Sequence, residues 1–319
     1  MLKGIGKSHG KTIIMGEHAV VYGYPAFAIP LLSTPVIVKI KQSSENTLIS
    51  KYYAGKIDQI PDSLSGVKYL INLLDEKLNP KQIKYTISID SGLPIERGMG
   101  SSAAIAAAIT RAFFDAFDNA LDHQTLLDYV NKSETITHGK ASGLDALTVS
   151  SEYPIKFGKN VAPKPFTFNS EGFIVIADSG VKGRTKETVA DVRKMYDADS
   201  KTIGAYLKQL GDYATAASEY LTKGNLKQLG LVFSLANEVL TKLKLSIPKT
   251  DQLIETANHA GSLGSKITGG GRGGCIICLA RNLKNAQMIQ KALVKSGAEQ
   301  TWIQPLSIYA EDSDIDTNS

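Results

Sequence analysis

The residues best suited to chemistry surround one glycine-rich loop. Residues 92–104 read GLPIERGMGSSAA and run directly into an alanine-rich segment with the pattern of a helix. Small residues let a ligand approach the backbone, and the N–H groups and dipole at the start of a helix attract anions. The ordinary alternative is a loop in which a serine caps the helix. We favour the first interpretation, which predicts a binding loop for phosphate groups.

Several side chains could act on a phosphate bound at that loop. They are Lys11, Glu134 and Asp145, together with the loop hydroxyls of Ser101 and Ser102. Phosphoryl transfer needs positioned groups, a metal ion that bridges the phosphates, and a cation that stabilises the developing charge. Each residue also has an ordinary explanation, since Asp145 could cap a turn and Glu134 could be a solvated helix residue. Together they favour phosphoryl-transfer chemistry.

A second glycine-rich segment lies far along the chain. Residues 266–275 read KITGGGRGGC, with five glycines within six residues. Such a run is entropically costly to order. We therefore expect a backbone that turns tightly beside a ligand or another chain segment, with a flexible hairpin as the alternative.

Two familiar nucleotide-binding patterns match only in part. Residues 98–103 fit G-x-G-x-x-A, but Pro94 separates them from the preceding strand, and no strand ending in an acidic residue follows about 20 residues later. Residues 4–12 resemble a P-loop, but five residues instead of four separate Gly4 from Gly10, and no strand precedes them. We therefore adopt neither the Rossmann nor the P-loop interpretation.

The hydrophobic pattern predicts the elements that hold these residues. Alternating or continuous apolar residues predict strands at 36–41, 83–90, 173–177 and 275–280. Apolar spacing and alanine content predict helices at 101–117, 124–138, 226–243, 250–263 and 284–297. Strands predominate before about residue 185 and helices after it, which predicts an α+β fold. We place a domain boundary near 178–183, where a strand ends in a polar, glycine-containing stretch.

Length and composition are those of a soluble globular protein of about two domains. The chain has 319 residues, of which 43% are hydrophobic and 21% charged, and its apolar runs are far shorter than a bilayer-spanning helix. We expect neither a membrane-spanning segment nor a signal peptide. Two cysteines exclude a disulfide scaffold. Cys275 and Cys278 are interpreted as small buried hydrophobes rather than a redox pair, which suits a cytoplasmic setting.

The charge distribution favours anionic small molecules as ligands. The chain carries 36 Lys and Arg residues against 31 Asp and Glu residues, a formal net charge of +5. Four of those acids, Glu311, Asp312, Asp314 and Asp316, lie in an acidic tail that we expect to be mobile, so the rest of the chain is more basic still. Because the sequence has no arginine-rich run or interleaved aromatic stripe, we expect no nucleic-acid partner and no membrane partner.

Three segments together resemble the motifs of the GHMP small-molecule kinases. Residues 10–21, which read GKTIIMGEHAVV, resemble the first motif, 92–104 resemble the second, which is the ATP phosphate loop, and 266–275 resemble the third. They occur in family order across nearly the whole chain, which makes the joint match specific. The segment GEHAVV (residues 16–21) and residues 179–186 are most similar to the corresponding segments of the family members that phosphorylate mevalonate. Phosphomevalonate kinases usually carry Tyr where this chain has His18.

The resemblance implies roles for individual residues in the transfer step. Asp145 matches the aspartate that accepts or steers the proton of the substrate hydroxyl. Lys11 matches the lysine beside it, which stabilises the transferring phosphoryl group. Ser102 and Glu134 match the ligands of Mg²⁺.

The resemblance also implies two substrate sites. Glu17, His18 and Thr185 match residues that line the mevalonate pocket. ATP is implied as the co-substrate and Mg²⁺ as the metal ion. The implied ATP-binding residues are Pro94, Ile95, Glu96, Arg97, Gly98, Met99, Gly100, Ser101, Ser102, Ala103 and Ala104.

The fold implied by the resemblance is an α+β, two-domain one. A ribosomal-protein-S5-like N-terminal domain would cover residues 1–180, and a ferredoxin-like C-terminal domain would cover 181–319. Family members are often dimers, which leaves a homodimer open for this chain. The third motif departs from the usual Gly-Ala-Gly, because this chain has Gly270 in place of the alanine and Arg272 after the triplet. We expect that change to loosen the loop.

Two alternative functions stay open at this level. A GHMP kinase could act on another small alcohol, such as phosphomevalonate, homoserine or a sugar, although His18 and Thr185 favour mevalonate. A non-catalytic nucleotide-binding protein on the same scaffold would be expected to lack the acid or the lysine, yet Lys11, Glu134 and Asp145 are all present. The sequence therefore favours ATP-dependent phosphorylation of mevalonate.

Overall fold

The computed structural model describes residues 2–138, 143–158 and 161–310 of the chain. Helices and strands are mixed in two compact units, which confirms the α+β prediction. The first unit comprises Met1–Lys11, Pro30–Ile95 and Gly100–Glu152, and the second comprises Thr12–Ile29, Glu96–Met99 and Tyr153–Ser319. The boundary predicted near 178–183 stays a prediction, and the acidic tail at 311–319 lies outside the described residues.

Two long strands, β1 (Lys3–Met15) and β2 (Ala26–Gln42), pair with each other and contribute residues to both units. The first unit adds the strands β3 (Thr47–Ile49), β4 (Ala54–Lys56) and β5 (Tyr85–Ser91). Strand β5 pairs antiparallel with β2 and parallel with β3, and β3 pairs antiparallel with β4. The helices of this unit are α1 (Ser65–Leu78), α2 (Ser101–Ala116), α3 (His123–His138) and α4 (Leu144–Val149).

Helix α2 lies in the core of the first unit and fixes one end of the first glycine-rich loop. It packs against α1, α3 and α4. Its many alanines let these neighbours approach closely, and Ala103, Ala107 and Ile109 are fully buried. The helix begins at Ser101, directly after Gly100. The loop is therefore anchored to one of the most deeply buried elements of the unit.

The second unit contains two strands, β6 (Ile155–Gly158) and β7 (Val161–Pro165), that continue the sheet of β2, and it also contains a separate four-stranded sheet. Strand β6 pairs with the first residues of β2 and with β7, both antiparallel. The strands of the other sheet are β8 (Phe173–Asp178), β9 (Gly264–Ile267), β10 (Cys275–Ala280) and β11 (Gln300–Pro305). This sheet is antiparallel with the order β11-β8-β10-β9. The helices are α5 (Thr185–Ala198), α6 (Ser200–Thr222), α7 (Leu226–Lys242), α8 (Pro248–His259) and α9 (Leu283–Lys295).

Both cysteines lie in the buried strand β10 and are not in a disulfide. Burial raises the pKa of the Cys278 thiol to about 12. A thiol with so high a pKa carries almost no thiolate at neutral pH and is a poor nucleophile. The interpretation of this pair as small buried hydrophobes is confirmed. No helix in the described ranges is long and apolar enough to cross a bilayer.

Two predicted elements differ from the observed ones by more than two residues at an end. Helix α8 stops at His259 rather than at 263, because Gly261 has a φ of 90° and the N–H of Ser262 turns back to the carbonyl of Ala257 at 3.0 Å. Strand β2 starts ten residues before the predicted 36–41, and this extension includes Pro30. Proline is uncommon inside strands, so the pattern underestimates the length of β2.

Candidate active site

A buried lysine and a partly exposed aspartate form an ion pair in the first unit. Lys11 lies on β1 and Asp145 in the first turn of α4, with Lys11 Nζ 2.9 Å from Asp145 Oδ1. Their side chains are 5% and 36% exposed. Ser8 Oγ donates a 2.8 Å hydrogen bond to the carbonyl of Val149, which fastens α4 to β1. The lysine is therefore held inside the protein while the carboxylate stays accessible to a substrate.

The last glycine of the phosphate loop packs against this lysine. Gly100 has a φ of 69°, a left-handed conformation that favours glycine. A Cβ at Gly100 would lie 2.9 Å from Cγ of Lys11 and 3.2 Å from Cγ1 of Val149. The structure thus brings Gly100, Lys11 and Asp145 together, although nearly 90 residues separate Lys11 from Gly100 and a further 45 precede Asp145.

The start of α2 suits an anion. Its N-cap residue is Gly100, so no side chain caps the first N–H groups of the helix. The hydroxyl of Ser101 is buried and has no hydrogen-bond partner in the described part of the chain. An anion with several acceptor oxygens could satisfy both the amides and this hydroxyl. This arrangement fits a nucleotide phosphate, as the sequence predicts for the loop.

The candidate metal ligands are also in the first unit. Ser102 lies in the first turn of α2, and Glu134 is a buried residue of α3, a helix that packs against α2. A hydroxyl and a carboxylate are hard oxygen donors, which Mg²⁺ prefers. Within the described ranges no group of three or more His, Cys, Asp or Glu side chains could hold a metal ion. The Ser102 hydroxyl and the Glu134 carboxylate fit Mg²⁺, which is usually bound by one or two carboxylates together with phosphates and water.

An apolar cleft next to the loop was not anticipated from the sequence. It lies within the first unit and opens between the β3–β4 hairpin, α1 and β5. Ile95 of the loop and Ile105 of α2 line one side of it. The other apolar lining residues include Leu48, Tyr52, Leu64, Val67 and Ile89. A flat apolar group bound here would lie close to the phosphate loop.

In the second unit, Glu17 and Lys266 form a fully buried ion pair. Both side chains are 0% exposed, and Lys266 Nζ donates to Glu17 Oε1. Burial lowers the pKa of Lys266, while the nearby Glu17 carboxylate opposes that shift. Glu17 therefore has a charged partner within the protein. Lys266 is a residue that sequence reasoning missed, although its place at the start of the glycine-rich segment 266–275 was a visible signal.

His18 is held beside this pair and joins the first motif to the third. Its Nε2 lies 2.9 Å from the carbonyl oxygen of Gly270. Burial lowers the pKa of His18 from its ordinary value of 6.5, so the ring is neutral at pH 7. A carbonyl only accepts, so Nε2 carries the proton and donates, and Nδ1 is left as an acceptor. Thr268 adds a second link, because its Oγ1 donates to the carbonyl of Ile13 at 2.8 Å.

The third motif turns tightly against another chain segment. A Cβ at Gly270 would overlap Thr185, the first residue of α5, and a Cβ at Gly273 would overlap the carbonyl of Lys182. The N–H of Arg184 donates to the carbonyl of Gly271. The expected tight turn is thus observed, and the space that an alanine methyl would need is occupied by Thr185. The motif therefore needs its glycines for close approach to residues 181–185.

These parts are what a phosphoryl-transfer enzyme requires: a helix start for phosphate, with a lysine and an aspartate beside it. Comparison of the sequence with family models agrees. The model for the GHMP kinases N terminal domain matches residues 65–152, and the model for the GHMP kinases C terminal matches residues 217–299. The chain belongs to the GHMP kinase family, whose members use ATP as co-substrate.

Within that family the chain is similar to proteins named mevalonate kinase. The mevalonate kinase of Pyrococcus furiosus is 31% identical over 306 residues, covering 88% of this chain and 90% of that protein. A crystal structure of mevalonate kinase from methicillin-resistant Staphylococcus aureus is 31% identical, with a TM-score of 0.78 and coverage of 96% and 100% of the two chains. The L. major enzyme in complex with R-mevalonate is 25% identical, with a TM-score of 0.80 and coverage of 95% and 96%.

Proposed function

We propose that this protein transfers the γ-phosphoryl group of ATP to the primary hydroxyl of mevalonate and forms 5-phosphomevalonate. The observation that carries the proposal is the Lys11–Asp145 pair, packed against Gly100 at the end of the phosphate loop. The relatives named mevalonate kinase, which match most of the chain, support this choice of acceptor.

In the transfer step Asp145 holds the acceptor hydroxyl and receives its proton. The hydroxyl oxygen forms a bond to the γ-phosphorus, the bond from that phosphorus to the bridging oxygen breaks, and ADP leaves with that electron pair. Lys11 is a fixed cation beside the reacting groups, since its side chain is buried and paired with Asp145. It stabilises the negative charge on the phosphoryl oxygens.

Residues 94–104 bind ATP in this proposal. The N–H groups at the start of α2 and the hydroxyl of Ser101 receive the phosphates. The faces of the adenine ring pack against the apolar lining beside Ile95 and Ile105, which lies next to the loop. Ser102 and Glu134 hold Mg²⁺, which, when bound, would neutralise phosphate charge.

The panel that tests the function contains mevalonate, phosphomevalonate, homoserine and galactose. Each is supplied with ATP and Mg²⁺, and ADP release is measured by a coupled assay. We expect mevalonate to give by far the highest kcat/KM. If another alcohol exceeds mevalonate, the acceptor is wrong while the kinase assignment stands. If no alcohol releases ADP above the rate without acceptor, the kinase assignment fails.

Gly100→Ala should impair both nucleotide binding and catalysis. The methyl group would press on Lys11, and a left-handed φ costs a residue with a Cβ roughly 1–2 kcal/mol, equivalent to about tenfold in an equilibrium. We expect the ATP KM to rise and kcat to fall by about that factor, with the mevalonate KM nearly unchanged. Gly92→Ala is the control, because a Cβ there meets nothing within 4 Å. Equal effects of the two variants would contradict the placement of Gly100.

Glu134→Gln should weaken the use of magnesium more than it disturbs folding. The amide keeps the shape of the buried side chain but removes its charge, and a neutral oxygen binds Mg²⁺ less strongly than a carboxylate. We expect the Mg²⁺ concentration for half-maximal activity to rise clearly, with a nearly unchanged melting temperature. Wild-type activity at limiting Mg²⁺ would remove Glu134 from the metal site.

His18→Ala should act on mevalonate and not on ATP. Because Nδ1 is the acceptor of a neutral ring, we infer that it receives a hydroxyl of mevalonate and does not face the carboxylate. Loss of this contact should cost about 1–3 kcal/mol in mevalonate kcat/KM. Because burial lowers the pKa of His18, acidification below pH 7 should raise the wild-type mevalonate KM less than it would for an ordinary histidine. If His18 binds the 3-hydroxyl of mevalonate, wild type and His18→Ala should have the same kcat/KM for an analogue that lacks this hydroxyl. A difference in kcat/KM that persists with the analogue would exclude the 3-hydroxyl as the partner of His18.

A further inference from the structure

Residues Glu96–Met99 of the phosphate loop belong to the second unit, where Arg97 is bound to the end of β8. Arg97 Nε donates to both carboxylate oxygens of Asp178, at 2.8 and 3.1 Å, and Nη2 donates to the carbonyl of Gly180 at 3.1 Å. The two side chains are 14% and 1% exposed. A guanidinium held by several acceptors has a fixed orientation as well as a charge.

The backbone of the loop is joined to the same stretch. The N–H of Gly183 donates to the carbonyl of Glu96 at 2.9 Å. Glu96 has a φ of 59°, a conformation that a residue with a side chain adopts only where its surroundings hold it. Lys182 Nζ also lies 2.7 Å from Glu96 Oε2, but both of those side chains are largely exposed. The shape of the loop at Glu96 therefore depends on residues 178–183.

The stretch 178–183 leads directly to Thr185. Besides its contacts with the phosphate loop, it forms hydrogen bonds with the third motif. The N–H and the Oγ of Ser179 both donate to the carbonyl of Gly274, at 3.0 and 2.7 Å. The N–H of Gly274 donates to the carbonyl of Val181 at 2.7 Å. With hydrogen bonds on both sides, this stretch has little freedom to move independently of the loop.

The charge of Asp178 makes Arg97 difficult to replace. Burial raises the pKa of Asp178, while the N–H of Gly180 and the Arg97 guanidinium oppose the rise by stabilising the carboxylate. The same carboxylate accepts from the N–H of Gly180 at 2.9 Å and so shapes the turn after β8. Loss of Arg97 would leave this buried carboxylate without its charged partner.

We propose that Arg97 is a positioning residue that couples the two substrate sites. It transmits the arrangement of the ATP phosphate loop to residues 178–185, so that nucleotide binding orders the segment that ends at Thr185. The proposal rests on the proposed function, because it takes ATP and mevalonate as the two ligands. Coupling between sites is reciprocal, so each ligand raises the affinity for the other by the same factor.

Hydrogen exchange of the full-length chain tests the coupling without mevalonate. The probe is a non-hydrolysable ATP analogue with Mg²⁺, and the reporters are the amides of Gly180 and Gly183, which bond to Asp178 and Glu96. We expect the analogue to slow exchange at these amides about fivefold or more in the wild type. In Arg97→Met, at analogue concentrations that saturate the variant, the two amides should remain unchanged.

Three further variants separate positioning from simple structural damage. Lys182→Met removes only the exposed contact to Glu96 and should keep the wild-type slowing. Arg97→Met/Asp178→Asn replaces the charged pair by a neutral one, and it provides the measurement if Arg97→Met alone does not fold. We expect it to fold and to show no slowing. Arg97→Lys keeps the positive charge but not the planar guanidinium group, so the analogue should slow exchange at the two amides to an intermediate degree.

The ratio of the mevalonate Kd without the ATP analogue to the Kd with it provides an independent readout. In the wild type the analogue should lower the mevalonate Kd about fivefold or more, and in Arg97→Met and in Arg97→Met/Asp178→Asn the ratio should approach about one. Wild-type slowing or a wild-type ratio that persists in Arg97→Met would overturn the proposal, as would a wild type that binds the analogue with no change at Gly180 and Gly183. A wild type that binds no nucleotide would overturn the proposed function as well, which distinguishes the two failures.

Discussion

Asp145→Asn is expected to lower kcat by at least about a hundredfold, because a positioned acid–base group typically contributes about 10²–10⁴ in rate. The amide keeps the shape of the side chain and a contact to the hydroxyl, but it cannot take the proton. ATP affinity should be nearly unchanged, because the start of α2 and the hydroxyl of Ser101 are untouched. Steady-state kinetics and nucleotide binding measure the two effects separately.

Lys11→Met should also depress kcat, and the double variant should lose less than the two single losses combined. Lys11 and Asp145 are in direct contact at 2.9 Å, and residues that act as a unit are strongly non-additive. Asp251→Asn is the matched control, since Asp251 is an exposed aspartate in the first turn of α8 and should leave kcat unchanged. A loss under about tenfold for Asp145→Asn would exclude this residue from the step and direct attention to Glu17 and Glu134.

Lys266→Met is expected to lower the free energy of unfolding by about 3–5 kcal/mol. The variant leaves the Glu17 carboxylate in a site where neither side chain of the pair is exposed, without its charged partner. Removal of one member of a buried ion pair is costly mainly because the remaining charge is uncompensated. Urea unfolding followed by circular dichroism measures the change from the shift of the transition midpoint.

The double variant Lys266→Met/Glu17→Gln should recover most of that loss. It removes both charges, and a neutral replacement of a buried pair is often close to neutral in stability. Lys208→Met is the matched control, because it breaks an exposed pair with Asp212 and should leave the midpoint almost unchanged. Equal destabilisation by the single and the double variant would show that packing around Lys266, and not its charge, determines the effect.

The single variant Lys266→Met also addresses the role of Glu17. The resemblance implies that Glu17 lines the mevalonate pocket, whereas its carboxylate is bound to Lys266 inside the second unit. We expect Glu17 to act through the position of the adjacent His18, whose φ of 59° needs firm support. Lys266 is not itself a proposed substrate residue and donates to Glu17, so a mevalonate KM that rises in Lys266→Met would support this role.

Strongly periodic segments could be predicted from the sequence, and others could not. Helix α7 and strands β8 and β10 agree closely with their predictions, because a long apolar stripe or a continuous apolar run has few alternative explanations. Strand β1 was missed, since its start carries three glycines and three lysines within nine residues. A Cβ at Gly6 would overlap the carbonyl of Ala108 in α2, so that glycine is required by packing and not by local preference.

The family could be recognised from the order of the three motifs, and the residues available for chemistry from the glycine-rich loops and their charged neighbours, because these are local patterns. Which of these residues meet follows from the tertiary structure. Lys11 with Asp145, Lys266 with Glu17 and Arg97 with Asp178 are pairs of opposite charge far apart in the chain, the last two by 249 and 81 residues. A charge has no preferred partner at the level of sequence, since its partner is chosen by the folding of the backbone and by the cost of leaving it buried alone.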